Sequence, residues 1–292
     1  MKILTFFSEK GGVGKSSFTI MYASWLHFKC GVKVGVADFN DRINKYRYSE
    51  IEKREELRKD KPEVPSFNED ATWPIVSCRP SEIRDIRKTG VQKPYAAWLK
   101  KQIMPGGALH GLDVVLCDFP GSLTGGEFLD IASLTMLNLV VIPTERDEMT
   151  LNSTKKLHEI IHKYVRECIF INKVNVNLQN TRSAYFKLGD KLLKVGFPML
   201  PDMVSYSEKM MTIEKVSNIR STFGYPDYEK DENGCPKDLG IDNLFIDVTR
   251  LLNNEKDYPG TGRSDLSFVE NLQKANDGRQ LPNSAFPELH IK

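Results

Sequence analysis

An apolar run, Ile3–Phe7, passes directly into Lys10-Gly-Gly-Val-Gly-Lys15-Ser16-Ser17, and an amphipathic stretch follows at once. That junction leaves few folds open. Glycines at 11, 12 and 14 let the backbone curl so that successive N–H groups point inward. The start of the next helix adds the favourable end of its dipole, and the product is a cradle for phosphate oxygens. In such a loop Lys15 is expected to reach the β- and γ-phosphates and the Ser16 hydroxyl to bind Mg²⁺, while Val13 and Ser17 complete the cradle. The cofactors implied are ATP and Mg²⁺.

The same alternation continues down the chain. Short, nearly continuous apolar runs are read as strands at Ile3–Phe7, Lys33–Asp38, Pro74–Cys78, Val114–Asp118, Leu139–Pro143 and Ile169–Val174. Between them, Ser16–Lys29 places Phe18, Met21, Tyr22, Trp25 and Leu26 at helical spacing, and Phe128–Leu137, Leu151–Val165 and Leu244–Leu252 follow the same pattern. The fold class expected is α/β, a mostly parallel twisted sheet with helices on both faces. Lys45–Glu63 is mostly charged with mixed signs and is read as a solvated helix closed by Pro62 and Pro65. Residues 1–255 are taken as one domain. Residues 256–292 form a polar, Pro- and Gly-punctuated tail with little to bury, expected to be mobile or to drape over the domain.

A phosphate loop needs an acidic partner for the metal and its waters. Val114-Val-Leu-Cys-Asp118, followed by Phe-Pro-Gly121, supplies an aspartate closing a buried strand and a glycine placed to sense the γ-phosphate. Asp118 is expected to act on the metal through water.

The ordinary loop pattern carries glycine at position 9, where this chain has Glu9, and a second lysine, Lys10, comes next. KGGVGKSS resembles the deviant Walker A motif of the ParA/MinD family of ATPases, and the resemblance is specific over about residues 1–40 and 113–175. It implies that Lys10 reaches across an ATP-sandwiched homodimer to the partner's phosphates, where an added cation stabilises charge building during phosphoryl transfer. The family usually shows Asp-x-Asp after the second strand, with an aspartate positioning the attacking water. Here Asp38 matches the first and Asn40 stands at the second, with Asp41 one residue on. An amide orients water but accepts no proton, so tight ATP binding with weak basal hydrolysis is expected. Asn172 resembles the strand-end asparagine that reads the adenine ring, its alternative being a cap on the strand exit. The Leu139–Glu145 strand resembles an architectural one, and Leu200-Pro201-Asp202 falls where the family packs a loop against the base.

The family serves several readouts. The leading expectation is a ParA-type ATPase of plasmid, chromosome or mobile-element partition, or of conjugative transfer, whose ATP dimer binds DNA non-specifically. Arg182, Lys187, Lys191, Lys194, Lys209, Lys215 and Arg220 are the candidate contacts, and an activator protein is implied. With the loop within ten residues of Met1, a preceding operator-reading module is not expected. A MinD-like positioning ATPase needs a C-terminal amphipathic helix, and Leu266–Lys274 has only scattered apolar residues. An iron-protein branch needs cysteines just beyond Asp118, and residues 119–128 contain none. A metabolic or transport P-loop ATPase without DNA binding remains the other alternative.

The bulk properties fit a cytoplasmic location without membrane attachment. Net charge is +2, the five cysteines are widely spaced without a CxxC pair, and no signal-peptide pattern or bilayer-length apolar stretch is present. The cysteines are read as small core hydrophobes.

Overall fold

The computed structural model describes residues 1–62, 72–121, 123, 128–129, 137–174, 188, 192, 197–205 and 241–253. Its centre is a seven-stranded parallel sheet: β1 (Lys2–Phe6), β2 (Val34–Asp38), β3 (Ile75–Ser77), β4 (Val114–Asp118), β5 (Leu139–Thr144), β6 (Glu167–Val174) and β7 (Met199–Ser205). The strand order is β3-β2-β4-β1-β5-β6-β7. Every residue of β2, β4 and β5 is buried, as strands covered on both faces require.

All six expected strands form, with ends shifted by a residue or two. The sequence reading lacked β7, whose Pro201-Asp202 is untypical of a strand. It also lacked two short helices, α3 (Pro80–Lys88) and α4 (Pro94–Ile103), each opened by a proline in its first turn. Helix α1 spans Lys15–Ser24 and loosens into a π-turn at Trp25–Lys29, where the Cys30 N–H donates to the Trp25 carbonyl. The charged helix is α2, Arg42–Asp60. Among the described residues two further helices are given in full, α5 (Glu148–Ile161) and α6 (Ile241–Leu252). The expected helix 128–137, the candidate basic residues from Arg182 to Arg220 and the tail fall largely or wholly outside the described residues.

The chain divides into two compact units. The first comprises Met1–Thr5 and Ser16–Pro120. In it β4 lies between β1 and β2, in register Ile3↔Val115 and Val36↔Leu116. Gly35 sits where a Cβ would come within 2.6 Å of Leu112 Cδ1, so the strand passes close beneath the 109–112 turn. Trp73 is fully buried and donates to Ser24 Oγ at 3.2 Å, and the Arg47 guanidinium covers its ring.

The second unit comprises Phe6–Lys15, Gly121–Ser207 and, among the described residues, 241–253. The Phe7 N–H donates to Val141 O at 2.9 Å, and the Phe7 ring stacks on Phe128 at 3.9 Å. Strand β6 pairs in parallel with both β5 and β7. At the strand starts, Glu167 is buried and hydrogen-bonded to His158. None of the described cysteines forms a disulfide, and burial raises the Cys78 thiol to about 12 and the Cys117 thiol higher still. No helix among the described residues is long and apolar enough to cross a membrane.

Candidate nucleotide site

The loop lies in the second unit. Gly12 and Gly14 adopt φ +77° and +93°, left-handed values that a side chain strains to reach, so the curl requires glycine at both positions. Lys15 is buried and its Nζ donates to the Lys10 carbonyl at 2.8 Å, which holds the ammonium over the loop. Val13 is fully buried, and its carbonyl accepts from Asn172 Nδ2 at 3.0 Å. Asn172 therefore braces the loop from the end of β6. Gly121 closes against the same loop: a Cβ there would lie 3.2 Å from Lys15 Nζ and 3.8 Å from Gly11 Cα. Among the described residues nothing lies within 4 Å of a Cβ added at Gly11 or Gly12.

Lys10 does not extend away from its own chain. Its Nζ lies 2.8 Å from Asp147 Oδ2 and 2.6 Å from Thr150 Oγ1. Asp147 is the N-cap of α5 and accepts from the Thr150 N–H at 3.0 Å. The Lys10 ammonium, with the Thr150 hydroxyl, holds the Asp147 carboxyl down to about 2. Sequence reasoning missed both partners.

The acidic residues belong to the first unit. Asp38 and Asp118 end neighbouring strands and are paired in register, both fully buried. Ser16, in the first turn of α1, donates its hydroxyl to Asp118 Oδ2 at 2.8 Å. A hydroxyl and a carboxylate oxygen side by side are hard oxygen donors of the kind Mg²⁺ prefers, so the residues present fit that ion. Asp38 is differently employed. Its Oδ1 accepts from the Asn40 N–H at 3.0 Å and its Oδ2 from the Asn44 N–H at 3.1 Å. Burial raises its carboxyl above the ordinary value, and these backbone donors oppose the rise. Between them Asp41 takes φ +51°, the left-handed residue that turns the chain into α2. The structure thus brings Ser16, Asp38 and Asp118 together in one unit. It brings Lys10, Gly11, Gly12, Val13, Gly14, Lys15, Gly121 and Asn172 together in the other. The covalent link between the two sets is the Lys15–Ser16 peptide bond, and Ser17 follows, buried in α1.

A second feature absent from the sequence reading surrounds the aspartates. Phe39 follows Asp38 and Phe119 follows Asp118, and their rings stack at 4.6 Å. Trp98 and Tyr95 of α4 meet Phe39 edge-on, at 5.0 and 6.0 Å.

Comparison with known proteins agrees with this fold. The ParA family model, described as NUBPL iron-transfer P-loop NTPase, matches residues 1–180. No curated protein matches the chain in sequence. Among solved structures, the chain is similar to a putative plasmid partition protein from Borrelia burgdorferi B31 bound to AMPPNP. The TM-score is 0.56 and the identity 19%, covering 84% of this chain and 98% of that one. It is similar to cobyrinic acid a,c-diamide synthase from Mycobacterium smegmatis with a bound ATP analogue and magnesium, with TM-score 0.53 and 15% identity over 90% and 100% of the two chains. It is also similar to apo McdA from Cyanthece, with TM-score 0.53 and 17% identity over 86% and 99%. At these identities the likeness establishes the fold.

Proposed function

The chain belongs to the ParA family of P-loop NTPases, and from that premise we propose that it is a Mg²⁺-dependent ATPase working as a dimeric switch in DNA partition or transfer. The observation that carries the reading is the Ser16 hydroxyl bonded to Asp118, with Asp38 beside it in register, one residue beyond a curled loop ending in Lys15. The loop N–H groups and Lys15 bind the phosphates, and Gly121 leaves room for the ammonium. Ser16 and Asp118 would hold Mg²⁺, Asp118 through water, and the ion supplies charge stabilisation at the phosphates when bound. Asn172 keeps the loop in shape and offers its carboxamide to the base.

Asp38 and Asn40 are the residues proposed to orient the attacking water. Both Asp38 oxygens are already engaged by backbone donors, and Asn40 brings an amide, which together support slow unstimulated turnover. The proposed dimer calls Lys10 away from Asp147 and onto the phosphates bound by a second copy. The partially exposed, single ion pair at Lys10 is cheap enough to exchange in this way. Non-specific DNA binding by the ATP form and stimulation by an activator protein complete the switch. The likeness to a plasmid partition protein supports that role.

The test is size-exclusion chromatography with ATP, AMPPNP or ADP, alongside phosphate release, for wild type and for Lys10→Ala and Lys15→Ala. Expected are an AMPPNP-dependent dimer in wild type, loss of the dimer but retention of nucleotide binding in Lys10→Ala, and loss of both in Lys15→Ala. A wild type that stays monomeric with AMPPNP while binding it tightly sinks the dimer.

A further inference from the structure

The charge of this chain is unevenly placed. Overall it is +2, yet Arg79–Met104, the stretch containing α3 and α4, carries seven basic residues against two acidic ones, a net +5. Arg79, Arg84, Arg87 and Lys88 lie on or before α3, and Lys93, Lys100 and Lys101 on or before α4. All but Lys93 are exposed. The two acids do local work. Glu82 Oε2 accepts the Arg79 N–H at 2.8 Å and Glu82 Oε1 accepts from Trp98 Nε1 at 3.4 Å, while Asp85 pairs with Lys88 at 2.9 Å. Basic residues in a last helical turn complement the helix dipole, which accounts for one or two at each end. It does not account for Arg79, Arg84 and Lys93, which lie outside the last turns.

This surface is also tied to the acidic half of the site. Trp98 and Tyr95 of α4 pack on Phe39, the residue after Asp38, and Phe39 in turn stacks on Phe119, the residue after Asp118. Helix α3 starts two residues after Cys78, whose N–H donates to the Asp38 carbonyl at 2.8 Å. A shift at either aspartate therefore moves the floor on which both helices stand.

We infer that the α3–α4 pair is a nucleotide-responsive contact surface for the phosphate backbone of duplex DNA. The inference rests on the DNA-binding reading above and adds contact residues to the candidates named from the sequence. Helices of nine and ten residues extend about 15 Å, a length along which duplex DNA presents roughly nine phosphates. An anionic membrane suits the surface less well. Pro94, Ala96, Trp98 and Leu99 of α4 are buried in the unit, so the helix has no apolar face to insert.

The experiment compares wild type with the triple variant Arg84→Gln, Lys100→Gln, Lys101→Gln in fluorescence-anisotropy titrations of a random-sequence DNA duplex. AMPPNP and ADP are compared across a salt series, and AMPPNP affinity serves as the check on folding. Expected are retained AMPPNP binding, DNA affinity weaker by about tenfold or more, and a log–log salt slope smaller by about 2–3. Phe39→Leu is expected to bind DNA with the same affinity in AMPPNP and ADP. If wild type binds DNA and the triple variant matches it in affinity and slope, the surface is excluded while the DNA-binding reading stands. If wild type binds no DNA in either nucleotide state, both fall. A Phe39→Leu protein that keeps the wild-type nucleotide difference overturns the coupling. A triple variant that loses binding to phosphatidylserine vesicles but not to DNA overturns the choice of ligand.

Discussion

The buried aspartates of the first unit and Lys10 of the second sit in opposite settings. Asp38 and Asp118 are buried at the ends of adjacent strands, fixed by sheet register, and held by hydrogen bonds that water does not dilute. Lys10 and Asp147 are both partly exposed, with side chains 32% and 41% accessible, and are joined by one ion pair at a helix cap. A group that must keep its geometry through every cycle belongs in the first setting. A group that has to change partners belongs in the second, where breaking a contact costs little. The difference is tested most directly by substitutions that exchange large effects for small ones.

The largest effect is expected from Asp118→Ala. It removes the acceptor of the Ser16 hydroxyl and one of two oxygen donors suited to Mg²⁺, so Mg²⁺-dependent ATP affinity should fall about 10–100-fold. Isothermal titration with and without EDTA reads it. Equal affinity of wild type and variant for MgATP would remove Asp118 from the metal side.

Asn172→Ala separates bracing the loop from reading the base. The amide now donates to the buried Val13 carbonyl, whose loss of a partner costs about 1–3 kcal/mol if the loop holds its shape. A purely bracing role predicts that ATP and GTP affinities weaken by the same factor, near tenfold. Weakening confined to ATP would show that Asn172 recognises adenine.

These two residues also mark the limits of the sequence. Asp118 was legible because an apolar run ending in aspartate, beside a loop of fixed spacing, admits few arrangements. The role of Asn172 was only half legible, since the loop carbonyl it braces lies 159 residues away. Asp147 was not legible as a partner of Lys10. Locally, Asp147 with Thr150 reads as a helix cap, and nothing nearby announces a lysine 137 residues upstream. Helices α3 and α4 escaped because both are short, and α3 is charge-rich with Ile83 its one buried residue. The six expected strands were legible for the opposite reason, since most of their positions are apolar, whereas β7 with its Pro201-Asp202 was not.

Asp38 occupies the middle of the range. Asp38→Ala leaves the Asn40 and Asn44 N–H groups without their acceptor at the entry to α2, and a loss of about 1–3 kcal/mol in denaturant melts is expected. The pH dependence has a definite sign. Burial raises this carboxyl above its ordinary 3.8, so its contribution is fullest below that value and declines as pH rises through the folded-state value. Asp38→Asn should flatten that decline. A variant with the same slope as wild type would mean that the carboxylate is better solvated than its burial implies.

The smallest effect, and the sharpest contrast, is expected at Asp147. Asn caps a helix as well as Asp does, so Asp147→Asn should leave α5 intact and remove only the charge facing Lys10. With both partners screened by water, the change in stability should stay below about 1 kcal/mol and shrink further in 1 M salt. Here the sign runs opposite to that of Asp38. Lys10 lowers the Asp147 carboxyl from 3.8 to about 2, so the pair contributes above 3.8 and its contribution disappears as pH falls through that interval. Melting wild type and Asp147→Asn side by side from pH 5 to pH 2 should therefore bring their curves together at the acid end. If they stay parallel, Lys10 is not held by Asp147, and the view of this half as an exchangeable contact loses its basis.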